Sequence, residues 1–123
     1  MQNLNKNYKT DLKKRCFYFS VDVVNFVVRP TNFVEQIIFK QLLRCATSIG
    51  ANIVEAHGSS SKKDFLNFFS IALKSARETL YWLYLIKETG NKNNQDKLLA
   101  LIAECDELAK IIAASILTMK GKR

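Results

Sequence analysis

Apolar residues recur along this chain at alternating steps of three and four, the spacing that gathers side chains on one face of a helix. Leu98, Ile102, Cys105, Ala109, Ile112, Ile116 and Met119 are the plainest case, an unbroken seam of the a/d kind. Leu66, Phe69, Leu73, Ala76, Leu80 and Leu83 form a second seam, and Ile38, Leu42, Cys45, Ile49 and Ile53 a third. Leu12, Cys16, Phe19, Val23 and Phe26 form the fourth. That last stretch also holds Val21, Val24, Val27 and Val28, β-branched residues that suit a strand. No second strand is at hand for it to pair with, so helix is the reading.

Three breaks separate the seams. In Arg29-Pro30-Thr31-Asn32, Pro30 cannot continue a hydrogen-bond ladder and Asn32 is a good N-cap. In His57-Gly58-Ser59-Ser60-Ser61, the last serine stands three residues before Asp64, the spacing of a capping box. Thr89-Gly90-Asn91-Lys92-Asn93-Asn94 is again rich in cap and turn residues. Helices are therefore expected over about residues 9–28, 32–57, 61–89 and 94–120. Short connections make sequential helices antiparallel. The expected fold is all-α, an antiparallel up-down-up-down four-helix bundle forming one domain over residues 1–123.

The second helix carries a polar line beside its apolar seam. Gln41, Arg44, Ser48, Asn52 and Glu55 share one face, and they are residue types that make geometry-demanding hydrogen bonds. The pattern predicts a structural polar network of Arg44, Ser48, Asn52 and Glu55, with charge pairing of Arg44 or Arg77 to Glu55 or Glu78, between helices or between subunits. Arg77 and Glu78 are adjacent, hence roughly 100° apart around the helix, and should serve different partners.

The same residues carry a family resemblance. The segment from Lys40 to Ala56 is followed by Ser59-Ser60-Ser61-Lys62-Lys63-Asp64-Phe65 and then by Ile71-Ala72-Leu73-Lys74-Ser75-Ala76-Arg77-Glu78-Thr79-Leu80-Tyr81-Trp82-Leu83. Three blocks in this order closely resemble the four-helix-bundle proteins encoded in intervening sequences of bacterial 23S ribosomal RNA genes. The likeness is continuous from about Lys40 to Ile86 and rests on periodicity alone outside it. Many relatives have Gly after the motif glutamate and Arg three residues later, where this chain has Ala56 and Ser59; a role of that Arg does not carry over. The resemblance implies barrel-shaped homopentamers. It also implies accessory roles, since some relatives resemble the variability determinant proteins that accompany retroelement reverse transcriptases.

Self-association is expected from the residues as well. Tyr81, Trp82, Tyr84, Leu85 and Ile86 fill the circumference of the third helix near its end, and Phe33, Ile37 and Phe39 lie outside the seam of the second. A helix apolar all round needs covering on both sides. Phe39, Trp82 and Leu85 are the expected interface residues.

Charge adds a partner class. The formal net charge is +8, and the first 31 residues hold six Lys and Arg against two Asp. Lys13-Lys14-Arg15 and Lys62-Lys63 are basic clusters suited to the phosphates of RNA or DNA. Charge alone does not separate this reading from a lysine surplus that keeps a small bundle soluble.

Candidate chemistry narrows the picture by exclusion. No run of eighteen apolar residues exists for a membrane span, and Met1 to Lys14 lacks the apolar core of a signal peptide. Three widely spaced cysteines and one histidine are too few for a zinc site, and the thiols fit a reduced, cytoplasmic protein. Ser59-Ser60-Ser61-Lys62-Lys63 lacks the glycine spacing of a phosphate loop. His57, beside Gly58, suits a C-terminal cap. The expectation is a non-enzymatic protein without cofactor or metal. It is either a nucleic-acid-associated accessory protein that grips RNA or DNA backbone without sequence preference, or a structural oligomer or protein-binding scaffold with no nucleic-acid role.

Overall fold

The computed structural model describes residues 11–89 and 94–121. Four helices account for most of them: α1 (Leu12–Val27), α2 (Phe33–His57), α3 (Lys62–Thr89) and α4 (Gln95–Met119). No strand occurs among the described residues, and the valine run lies inside α1. The expected start of the first helix at residue 9, and most of the third break, fall outside the described residues.

Local chemistry sets the helix starts. Asp11 caps α1, its Oδ1 accepting from the Lys13 and Lys14 amides at 3.0 and 3.3 Å. Asn32 caps α2 through the Glu35 amide at 2.8 Å, and the Glu35 carboxylate reaches back to the Thr31 amide at 2.7 Å. At α3 the Ser61 hydroxyl accepts from the Asp64 amide at 3.1 Å, half of the expected capping box. Asn94 opens α4 in the left-handed region, at φ 63°.

Each helix packs against the next, and α4 returns to α1, the thinnest of the four contacts; the two diagonal pairs do not touch. This is the square of an up-down-up-down four-helix bundle. Its centre is the set of seams read from the sequence, with Cys16, Val23, Leu42, Ile49, Ile53, Leu83, Leu108 and Ile112 fully buried. All three cysteines are buried free thiols. Burial pushes Cys16 up to about 12, so it stays a protonated, unreactive filler of the core. None of the described helices is long and apolar enough to cross a membrane.

At Gly50, α1 and α2 approach each other closely. A Cβ at this position would stand 3.3 Å from Cys16 Cβ and 3.5 Å from the Cys16 backbone. Glycine inside a helix costs about 1 kcal/mol relative to alanine. Here the missing side chain lets two backbones meet.

Candidate nucleic-acid interface

The polar line of α2 does meet α3, and it does so in two hydrogen-bonded groups. In the first, Arg44 Nη2 pairs with Glu78 Oε2, and the Arg44 guanidinium also donates to Gln41 Oε1 at 3.1 and 3.3 Å. Trp82 Nε1 donates to the same Glu78 oxygen at 3.1 Å. In the second group, Ser75 Oγ donates to Ser48 Oγ at 3.0 Å, and Asn52 Nδ2 donates to that hydroxyl and to the Ser48 carbonyl at 3.0 and 2.8 Å. The line is thus a polar seam stitching α2 to α3 within one protomer.

Glu55 and Arg77 are not part of it. Both are exposed and engage no hydrogen bond or ion pair among the described residues. Glu55 turns away from α3 and lines a groove between α1 and α2 with Lys13, Phe17, Gly50 and Val54. Arg77 sits beside Glu78 in sequence but points outward, the consequence of the 100° step between neighbours on a helix. Within one protomer, their expected place in the network is corrected on that geometry. Ser75 was missed, although it lies three residues before Glu78, on the same helical face.

The Glu78 carboxyl is held below the ordinary carboxylate range, first by the Trp82 N–H and then by Arg44. A lowered carboxyl stabilises the fold above its unfolded value and loses that contribution as pH falls through the folded one. The pair is open to solvent, with side chains 58% and 38% exposed, which limits its worth. A double-mutant cycle of Arg44→Ala and Glu78→Gln, followed by urea unfolding at pH 7, should give a coupling of about 0.5–1 kcal/mol. A coupling of several kcal/mol would show that the pair is desolvated.

The basic clusters divide. Lys13, Lys14, Lys62 and Lys63 are exposed, and no ion pair engages them among the described residues. They sit in the first turns of α1 and α3, which start at the same end of an up-down-up-down bundle. Arg15 does not join them. Its guanidinium donates to both oxygens of Glu104 on α4, at 2.7 and 2.9 Å, and the pair is mostly covered. This fork staples the thin α1–α4 seam, so Arg15 is corrected from phosphate contact to structural ion pair.

Of the expected oligomer residues, Phe39 is corrected by its burial. Phe39 is only 7% exposed, with its ring 5.5 Å from that of Phe26. The end of α1 covers it, so it is core within the protomer. Trp82 and Leu85 are half-buried, and Trp82 packs against the core as well as binding Glu78. The open apolar surface lies on other residues. Phe17, Val24 and Val28 on α1, with Phe33, Ile37 and Val54 on α2, are exposed, Phe33 by 73%. On α3 the exposed aromatics are Tyr81 and Tyr84.

His57 stands at the end of α2 as expected of a cap. Its Nδ1 lies 2.8 Å from the Ile53 carbonyl oxygen, which can only accept, so Nδ1 carries the hydrogen. The ring sits edge-on to Phe65 at 5.4 Å.

The family model described as 23S rRNA-intervening sequence protein matches residues 8–114. Among solved structures, the chain is similar to a protein of unknown function from the S23 ribosomal protein family of Bacteroides thetaiotaomicron VPI-5482. The two are 36% identical and superpose with a TM-score of 0.76, over 85% of this chain and 97% of that one. None of the curated proteins matches.

Proposed function

From its membership of the 23S rRNA-intervening sequence protein family, we propose that this chain is a non-enzymatic, cytoplasmic accessory protein that binds RNA or DNA backbone weakly and without sequence preference. The observation that carries the reading is Lys13 and Lys14 with Lys62 and Lys63, two exposed pairs of cations at one end of the bundle, none of them held in an ion pair among the described residues. Two helix N-termini lie under them and add their positive dipole ends. The family's link to intervening sequences of 23S rRNA points the same way. Three buried thiols without a disulfide suit a reducing compartment.

Titration of labelled RNA and DNA of unrelated sequences tests this. Binding should be detectable at about 50 mM salt, alike for all sequences, and should weaken steeply by about 200 mM. Tight, salt-insensitive preference for one sequence would overturn the reading.

The protein acts as a homo-oligomer in this proposal, with a pentamer favoured by its family likeness and a reverse transcriptase or another protein as a further partner. The exposed apolar residues Phe17, Val24, Val28 and Phe33 support self-association, through α1 and the start of α2 rather than through Phe39. Light scattering at micromolar concentration should give several times the 14.1 kDa chain mass. A monomer would refute this part and leave the binding experiment independent of it.

A further inference from the structure

The outward side of α3 bears a second pattern that the bundle does not use. Lys63, Lys74, Arg77, Tyr81 and Tyr84 lie on one stripe, with Asn67 and Ser70 completing its alternating steps of four and three. Every residue of the stripe is exposed. It runs 22 residues, from Lys63 to Tyr84, roughly 30 Å at about 1.5 Å per residue. Tyr81 and Tyr84 are 62% and 50% exposed, unusually open for rings that a bundle could have buried.

Resting on the nucleic-acid reading above, we propose that this stripe is a track for single-stranded RNA or DNA, with bases stacked on Tyr81 and Tyr84 and the backbone led along Arg77 and Lys74 to Lys63. Charge complementarity names the occupant. Neither Lys63 nor Arg77 has an acidic partner among the described residues, and Glu78, whose charge Lys74 also feels, is already paired with Arg44. Glu88, beyond the tyrosines, is the one carboxylate on the line. A line of cations leading to open ring faces is what sequence-tolerant single-strand binders present, because every base has a π-face. A contact between proteins would favour a core depleted of lysine. The α1 and α2 surface around Val24 and Phe33 fits that description, and the α3 stripe, with Lys63 and Lys74, does not. A duplex keeps its bases stacked inside and can use only the cations.

The chain's single tryptophan reports on the site. The Trp82 ring lies edge-on to Tyr81 with centroids 5.2 Å apart, so a base stacking on Tyr81 should change Trp82 fluorescence. The experiment titrates an oligouridylate of about ten nucleotides and a duplex RNA of equal length into the wild type, Tyr81→Ala/Tyr84→Ala and Tyr81→Phe/Tyr84→Phe. Circular dichroism and light scattering check fold and mass for each. The alanine pair should weaken single-strand binding by at least about tenfold and duplex binding by less than about twofold. The phenylalanine pair keeps the rings and should stay within about threefold of the wild type. If the alanine pair binds the single strand as the wild type does, the track is refuted while the backbone reading stands. An altered oligomer mass with unchanged RNA affinity would assign the stripe to a protein contact and also refute it. A wild type that binds neither probe would overturn the backbone reading and the track together.

Discussion

Gly50→Leu is expected to lower the stability of the fold by about 3 kcal/mol, which for a chain of this size is a drop in melting temperature on the order of 10 °C. The cause is specific. An added Cβ already meets Cys16 Cβ at 3.3 Å and the Cys16 backbone at 3.5 Å, and three further carbons must crowd that contact on their way to the groove that Gly50 lines. Backbone cannot rotate away as a long side chain can, so α1 must shift on α2. That shift disturbs the packing of Cys16, Phe19 and Val23 against the centre of the bundle. Gly50→Ala is the control. It gains about 1 kcal/mol of helix propensity and needs Cys16 to yield by only a few tenths of an ångström, so it should fall near the wild type. Thermal unfolding followed by circular dichroism reads both. A leucine variant melting with the wild type would mean that the two helices are not in contact there.

The second large effect concerns binding. Lys13→Glu, Lys14→Glu, Lys62→Glu and Lys63→Glu together should reduce RNA affinity by about 100-fold or more at low salt. Each reversal removes two positive charges, so the four take the formal +8 to neutrality. Stability should be spared, because all four side chains are exposed and without partners among the described residues. Glutamate in the first turns of α1 and α3 also faces the positive end of each helix dipole, a mildly favourable place. Loss of binding with an unchanged melt would tie the effect to charge. Arg15 is left out deliberately, since removing it would orphan Glu104 and loosen α1 from α4.

The fold was almost wholly legible because its signals are local. Asn32 and Ser61 cap the helices they were expected to cap, and the seam from Leu98 to Met119 faces inward along its whole length. Even the valines of α1 resolve to helix, since the Cys16, Phe19 and Val23 spacing satisfies a bundle core and offers nothing to a sheet. What periodicity leaves open is the width of the stripe that a neighbouring helix covers. Phe39 lies off the inner seam, yet Phe26 at the end of α1 shields it. Trp82 reads as surplus apolar surface until its indole N–H is seen bound to Glu78.

The candidate sites were legible by residue type and not by pairing. The sequence offers Arg44 and Arg77 against Glu55 and Glu78 without ranking the combinations; helix phase in three dimensions selects Arg44 with Glu78. Arg15 reads as one of three consecutive basic residues, and only the return of α4 to α1 brings Glu104 against it. The stripe of α3 is written in the sequence at regular spacing, but exposure of Tyr81 and Tyr84 depends on how α3 is rotated in the bundle.

The most direct measurement is the slope of log affinity for single-stranded RNA against log salt concentration, taken for the wild type and for the four-lysine reversal. Release of counterions gives about −0.7 per phosphate neutralised on a single strand, so four lysines in contact should contribute about −3 to the wild-type slope for each protomer engaged. The reversal should make the slope shallower by about that amount, leaving only what Arg77 and Lys74 supply, with little binding left at about 50 mM salt. A wild type that fails to bind at about 50 mM, or a slope the reversal leaves unchanged, would contradict the claim that this end of the bundle holds nucleic-acid backbone.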